Sequence, residues 1–221
     1  MSKISFSTKL ILGLVLLFIC LSCPSFKRNP NLRLLLKVEG YDLLNPRWTK
    51  GGWVYYIKSD YEYGSGDVWR IRDDGQGNEL VFAESLVIMD ISPSETLLVG
   101  FPSGAYQMYL PIILYNLKTA VSETLLSPYY PDYHTGLQFG FTDTFVYYCN
   151  SGGIHRINIY TKSDTIIVDE SIIAYFDIYR DSLVYYNQRI CDISTGAIVY
   201  SSSNLTIGFF CPKQRFIIIS R

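Results

Sequence analysis

A stretch of about nine residues recurs five times along this chain, each time as an apolar or aromatic residue, a small or polar one, a short turn and an apolar strand. The five copies are Trp48-Thr49 with Trp53-Val-Tyr-Tyr56, Ile91-Ser92 with Thr96-Leu-Leu-Val99, Phe141-Thr142 with Phe145-Val-Tyr-Tyr148, Ile178-Tyr179 with Leu183-Val-Tyr-Tyr186, and Phe210-Cys211 with Phe216-Ile-Ile-Ile219. A second signature follows three of them: Tyr115-Asn-Leu-Lys-Thr119, Ile157-Asn-Ile-Tyr-Thr161 and Cys191-Asp-Ile-Ser-Thr-Gly196. There a strand runs into Asx, an apolar residue and Thr, the residue types of a tight turn into a further strand. In the first copy the matching turn is Asp73-Asp74-Gly75.

Each unit thus reads as four short strands, which in the first copy fall near 44–49, 53–58, 67–72 and 79–83. Nineteen Tyr and twelve Phe support β-structure. A period near 40 with four strands per unit predicts an all-β fold, a β-propeller of about four to five blades, each a four-stranded antiparallel sheet. The fifth unit stops after its second strand. The ring is therefore expected to be either incomplete or closed by the N-terminal apolar run 32–38, pairing with strands in 205–220. The run Pro46-Arg-Trp-Thr-Lys-Gly-Gly-Trp-Val-Tyr-Tyr-Ile57, with Asp67-Val-Trp-Arg-Ile71 and Asp73-Asp-Gly75, resembles the WD-like repeat of TolB-type propellers. The resemblance spans roughly 40–221. It implies a scaffold and no catalytic residue.

The N-terminus carries an address. Lys3 and Lys9 precede the apolar run Leu10 to Ile19, and Cys20-Leu21-Ser22-Cys23 sets a small residue before a cysteine. This is the layout of a secretory signal, and it resembles the lipobox of bacterial lipoproteins, with Cys20 where that family usually has Leu. The resemblance implies a signal peptide over 1–22, lipidation of Cys23, a tether over 23–31 (CPSFKRNPN) and a propeller over 32–221. It also implies a membrane held through the lipid, in the cell envelope. In a Gram-negative cell Pro24, in place of a retaining Asp, points to the outer membrane.

Cleavage before Cys23 would leave 17 basic against 20 acidic side chains. That balance disfavours nucleic acid, which needs a basic surplus to displace counterions. Beyond Cys23, Cys149, Cys191 and Cys211 are an odd set without zinc spacing, read as strand residues or as one bridge with a third left over. No metal or cofactor is expected. Asp60, Glu62 and Asp67, and likewise Asp73, Asp74, Asn78 and Glu79, read as polar turns and fit no calcium loop. His155 reads as a surface or inter-blade residue of a third strand, and His134 as a loop residue. No Gly-x-Ser-x-Gly elbow accompanies them, and the chain reads as no enzyme.

Three long loops fall at one end of the strands: Asp60–Gly66, Pro102–Pro111 and Ser127–Gly136. They hold Tyr61, Tyr63, Tyr106, Tyr109, Tyr129, Tyr130 and Tyr133, rings with polar tips suited to recognition. The opposite end has short turns. The strand pairs Tyr55-Tyr56, Tyr147-Tyr148 and Tyr185-Tyr186 read as sheet packing, and Trp48, aligned with Phe141 and Ile178, as core. The leading function is a non-enzymatic module that binds an envelope protein or peptide through the seven loop tyrosines. The alternatives are a carbohydrate-binding or carbohydrate-active protein using Glu62 with Asp132, and a truncated propeller without independent function.

Overall fold

In a computed structural model the described residues are 36, 39–59, 64–103, 110–129, 136–150, 152–170, 176–201, 206–207 and 219–220. The chain divides into two units, Met1–Lys37 and Val38–Arg221, and every element below belongs to the second. The expected boundaries at 22 and 31, and all but Leu36 of the expected closing strand 32–38, lie outside the described residues.

The repeat produces the strands expected of it. Blade 1 is β1 (Asp42–Trp48), β2 (Trp53–Ser59), β3 (Gly66–Arg72) and the first part of β4 (Glu79–Ile91). Blade 2 is the rest of β4 with β5 (Leu97–Pro102), β6 (Leu110–Asn116) and β7 (Val121–Tyr129). Blade 3 is β8 (Leu137–Phe139), β9 (Phe145–Asn150), β10 (Gly153–Asn158) and β11 (Asp164–Val168). Blade 4 is β12 (Phe176–Tyr179), β13 (Leu183–Tyr186), β14 (Arg189–Asp192) and β15 (Ile198–Ser201), and β16 (Thr206–Ile207) pairs with β17 (Ile219–Ser220). All pairings are antiparallel and sequential, and the described residues form no helix. One strand departs from the expectation. β4 runs through thirteen residues, joining blades 1 and 2 into a seven-stranded sheet, because no Gly or Pro interrupts 79–91.

The second signature is a turn with one mechanism used three times. Asn116 Oδ1 accepts from the N–H of Lys118 and Thr119, Asn158 Oδ1 from Tyr160 and Thr161, and Asp192 Oδ1 from Ser194 and Thr195. Each turn closes when the fifth residue donates to the Asx carbonyl, at 2.9, 2.9 and 2.8 Å for Ala120, Lys162 and Gly196. Those closing residues have φ of 57, 58 and 68°, so only the last copy places glycine where the left-handed backbone favours it. Hydrogen bonds from the Ser194 hydroxyl and from Thr195 hold the Asp192 carboxyl below its ordinary range.

Burial on both sheet faces explains the doubled aromatics. Tyr55, Ile57, Val68 and Phe82 of blade 1 pack on Met89, Ile91 and Leu98 of blade 2. Val99, Phe101 and Leu114 of blade 2 pack on Leu137, Val146 and Tyr148 of blade 3. Tyr147, Cys149 and Ile154 of blade 3 pack on Phe176, Val184 and Tyr186 of blade 4. Neighbours such as Tyr147 and Tyr148 therefore face opposite blades, and both are buried. A strand covered on both sides reads as a continuous apolar run, without alternation. Each such ring contributes roughly 1.5–3 kcal/mol through burial.

Two residues depart from the expectation. Trp48 is not core: it is 49% exposed and Phe141 is 52% exposed, because each sits where its first strand ends and the turn begins, beyond the inter-blade cluster. His155 is not a surface residue but is buried, on the face of blade 3 that also carries its cross-strand partner Tyr148, with Nδ1 3.1 Å from Asp164 Oδ2 and its ring stacked on Tyr148 at 4.9 Å. The Tyr148 hydroxyl donates to the same carboxylate at 2.8 Å. One acid on β11 thus ties β9 and β10, which is what allows an imidazole inside the sheet. Cys149 and Cys191 are buried strand residues. Cys211 lies outside the described residues.

Candidate functional site

Blades 2, 3 and 4 each carry a carboxylate two residues before the second strand: Glu95 before Leu97, Asp143 before Phe145 and Asp181 before Leu183. Each reaches back one blade and takes a turn N–H. Gly51 donates to Glu95 Oε1 at 2.8 Å, Ser94 to Asp143 Oδ1 at 3.1 Å, and Phe141 to Asp181 Oδ1 at 3.0 Å. A Cβ on Gly51 or Gly140 would push aside the carboxylate of Glu95 or Asp181. Charge-assisted bonds of this kind are stronger than neutral ones, and here they run between blades 40 to 49 residues apart in sequence.

Beneath these turns the first strands are tied by a buried acid. Asp90 on β4 lies 3.1 Å from Arg47 Nε of blade 1 and accepts from the Phe139 N–H of blade 3 at 2.7 Å. Arg47 Nη2 also donates to the Leu137 carbonyl at 3.4 Å, and Asn45 Nδ2 to that of Val87 at 3.0 Å. Burial pushes the Asp90 carboxyl up, against the opposing pull of Arg47 and of the Phe139 and Ile91 N–H groups. One side chain therefore couples three blades.

What this scaffold presents is an aromatic and cationic surface. Lys50 Nζ sits 5.1 Å from the centroid of the Phe141 ring, and the Arg180 guanidinium lies 5.8 Å from Phe141 and 5.4 Å from Tyr179. Trp48, Lys50, Phe141 and Arg180 are all exposed. The patch draws on turns of blades 1, 3 and 4 and lies at the short-turn end of the strands. Nothing in it pairs a nucleophile with a base. Among the described residues no group of three His, Cys, Asp or Glu side chains could hold a metal ion.

Tyr61, Tyr63, Tyr106, Tyr109, Tyr130 and Tyr133 are outside the described residues, as are Cys23, His134, Glu62 and Asp132. Tyr129 is not in a loop: it ends β7, its backbone paired with Leu110. The second acidic cluster is a turn: Gln76 N–H donates to Asp74 Oδ1 at 2.9 Å, the Tyr56 hydroxyl to Asn78 Oδ1 at 2.7 Å, and Arg70 Nε to Glu79 Oε1 at 2.6 Å. The short-turn patch was missed because Trp48 and Phe141 align with each other and so read as shared core. A usable signal did exist, the acid recurring two residues before three successive second strands.

No protein-family model matches the sequence, and no curated protein matches it either. Solved structures do. TolB from Acinetobacter baumannii superposes with a TM-score of 0.60 at 14% identity, over 74% of this chain and 44% of that one. The β-propeller domain of the Trilobed protease from Pyrococcus furiosus, described as having an open velcro topology, gives 0.58 at 11% identity, over 78% and 61%. Oligogalacturonate lyase from Vibrio parahaemolyticus gives 0.57 at 9%, over 78% and 56%. This chain folds as a β-propeller. It spans less than two thirds of the length of each of these three chains, and at such identities the likeness is one of fold alone.

Proposed function

We propose that this propeller is a non-enzymatic protein-binding module of the cell envelope, held to the membrane by a lipid on Cys23, with its partner seated on the short-turn face. The observation that carries the reading is the pair of half-exposed rings, Trp48 and Phe141, set beside Lys50 and Arg180 on turns tied rigidly to one another. Exposed aromatics next to cations on a preorganised frame are the composition of interface anchors. The partner is a protein or peptide of the envelope. The tyrosine-rich loops at the other end of the strands form a second contact face in this proposal, and outer-membrane placement in a Gram-negative cell follows from the residues around Cys23.

The test is capture from gently crosslinked cells by a tagged chain with Cys23 intact, compared with Trp48→Ala/Phe141→Ala and with Tyr61→Ala/Tyr106→Ala/Tyr130→Ala. Loss of an anchor ring costs about 2 kcal/mol or more, roughly a 30-fold drop in affinity, so the first variant loses the partner. A partner lost only with the tyrosine variant moves the site to the other face. Undiminished capture by both variants removes the binding reading, and a Cys23→Ala chain that still partitions with membranes removes the lipid anchor.

A further inference from the structure

At the short-turn end of the blades, acids and bases are used in different ways. Glu95, Asp143 and Asp181 each turn one oxygen onto a backbone N–H of the preceding blade. Asp74 and Asp192 close their own turns. The cations Lys50 and Arg180 instead rest on a ring: Lys50 Nζ lies 5.1 Å from the Phe141 centroid, and the Arg180 guanidinium 5.8 Å from it. Ion pairs among the described residues join Arg47 to Asp90, Arg70 to Glu79, His155 to Asp164, Lys162 to Glu123 and Arg189 to Glu170. Neither Lys50 nor Arg180 is in one. Arg180 even follows a different course from Asp181, its neighbour in sequence, whose carboxylate takes the Phe141 N–H. Two exposed positive charges, from blades 1 and 4, thus converge on one half-exposed ring of blade 3.

We propose that this is the seat of a partner's carboxylate: an Asp or Glu that bridges Lys50 and Arg180 at the edge of Phe141, its apolar neighbour covering the ring. The inference rests on the binding reading above and names the chemistry of that partner. A ring face holds an exposed cation only weakly, so both charges remain available to an acid. The edge of the same ring is the positive part of its quadrupole and favours an anion there. The Arg180 guanidinium supplies a planar fork that matches a carboxylate, and Lys50 a point charge beside it. The turns that carry Lys50 and Phe141 are held by Glu95 and Asp181, so little ordering remains to be done on binding. Charge also selects the class of partner. Anionic membranes are held by clusters of about four to eight Lys and Arg, and nucleic acid by a basic surplus. Two cations on a chain of formal net charge −1 suit a single acid of a peptide segment.

The experiment selects peptides from a random display library on the full chain and measures synthetic copies by fluorescence anisotropy at about 0.15 M salt. The recovered sequences are expected to share an Asp or Glu next to an apolar residue. One exposed charge contact is worth up to about fivefold in affinity. Two converge here, so changing that acid to its amide is expected to weaken binding on the order of tenfold. This comparison uses the unsubstituted chain and depends on no variant folding. On Lys50→Gln/Arg180→Gln the acid and amide peptides are expected to bind alike, and on Lys50→Glu/Arg180→Glu the amide is expected to bind better. Peptides without an acid, no recovered peptide, or the same acid-to-amide loss on the Gln variant overturn the proposal. So does sedimentation of a Cys23→Ala chain with phosphatidylglycerol vesicles that depends on Lys50 and Arg180, which gives the site to lipid. Capture from crosslinked cells separates this inference from the reading beneath it. A partner lost with Trp48→Ala/Phe141→Ala but fully retained by Lys50→Gln/Arg180→Gln leaves the binding module standing and removes the acidic contact alone.

Discussion

Replacing Asp90 by Ala removes one carboxylate and should loosen three blades at once. The side chain is 12% exposed and faces the Arg47 guanidinium at 3.1 Å, while its other oxygen accepts the Phe139 N–H at 2.7 Å. Phe139 is 6% exposed, so its amide would find little water, and a buried donor left without an acceptor costs about 1–3 kcal/mol. Removing one partner of a fully buried ion pair costs about 3–5 kcal/mol. Arg47, however, keeps 34% side-chain exposure and its bond to the Leu137 carbonyl, so its charge rehydrates in part and the loss falls toward the lower figure. We expect about 3 kcal/mol in all, which for a domain of this size lowers Tm by about 6–12 °C. Urea unfolding at pH 7 measures it: the midpoint falls while the m-value stays constant, since the surface exposed on unfolding is unchanged. A loss below about 1 kcal/mol at constant m would show that Asp90 does not hold the blades together, and the reasoning would fail.

Two further outcomes follow from the same geometry. Because burial lifts the Asp90 carboxyl above its ordinary value of 3.8, the folded chain holds that proton more tightly than the unfolded one. The stability it contributes therefore falls as pH rises from 3.8 through the folded value and is flat above it. Wild type should gain stability relative to Asp90→Asn as pH is lowered from 7 toward about 4, and a relative loss over that interval in paired thermal melts would contradict the assignment. Ala120 holds φ at 57° in the β6–β7 turn, a conformation that costs a residue with a Cβ about 1 kcal/mol or more. Ala120→Gly should therefore raise stability by about 0.5 kcal/mol after the entropic cost of glycine, and a lower Tm would refute the strain.

Much of the fold was legible because its determinants are local. Four strands per unit follow from turn chemistry at short range, and the Asx side chains of Asn116, Asn158 and Asp192 close their turns within four residues. The doubled tyrosines report burial on both faces without reference to any partner. The site was less legible. Trp48 and Tyr55 are both aromatics of the first two strands of blade 1, on either side of the same short turn, yet one is 49% exposed and the other fully buried. Only the position of the strand end relative to the neighbouring blade decides between them.

The sequence by itself determined the repeat, the strand order and the turns, since each rests on residues a few positions apart. The tertiary structure alone decided that Asp90 joins Arg47 to Phe139, that Glu95, Asp143 and Asp181 tie each blade to the one before, and that His155 lies buried beside Asp164. It also decided that Phe141 stands between Lys50 and Arg180. Most of these contacts join residues 40 or more positions apart, and His155 with Asp164 meets across a strand pair. A carboxylate carries no mark in the sequence of whether water, a backbone amide or an arginine will be its partner. Packing settles that, by removing the water.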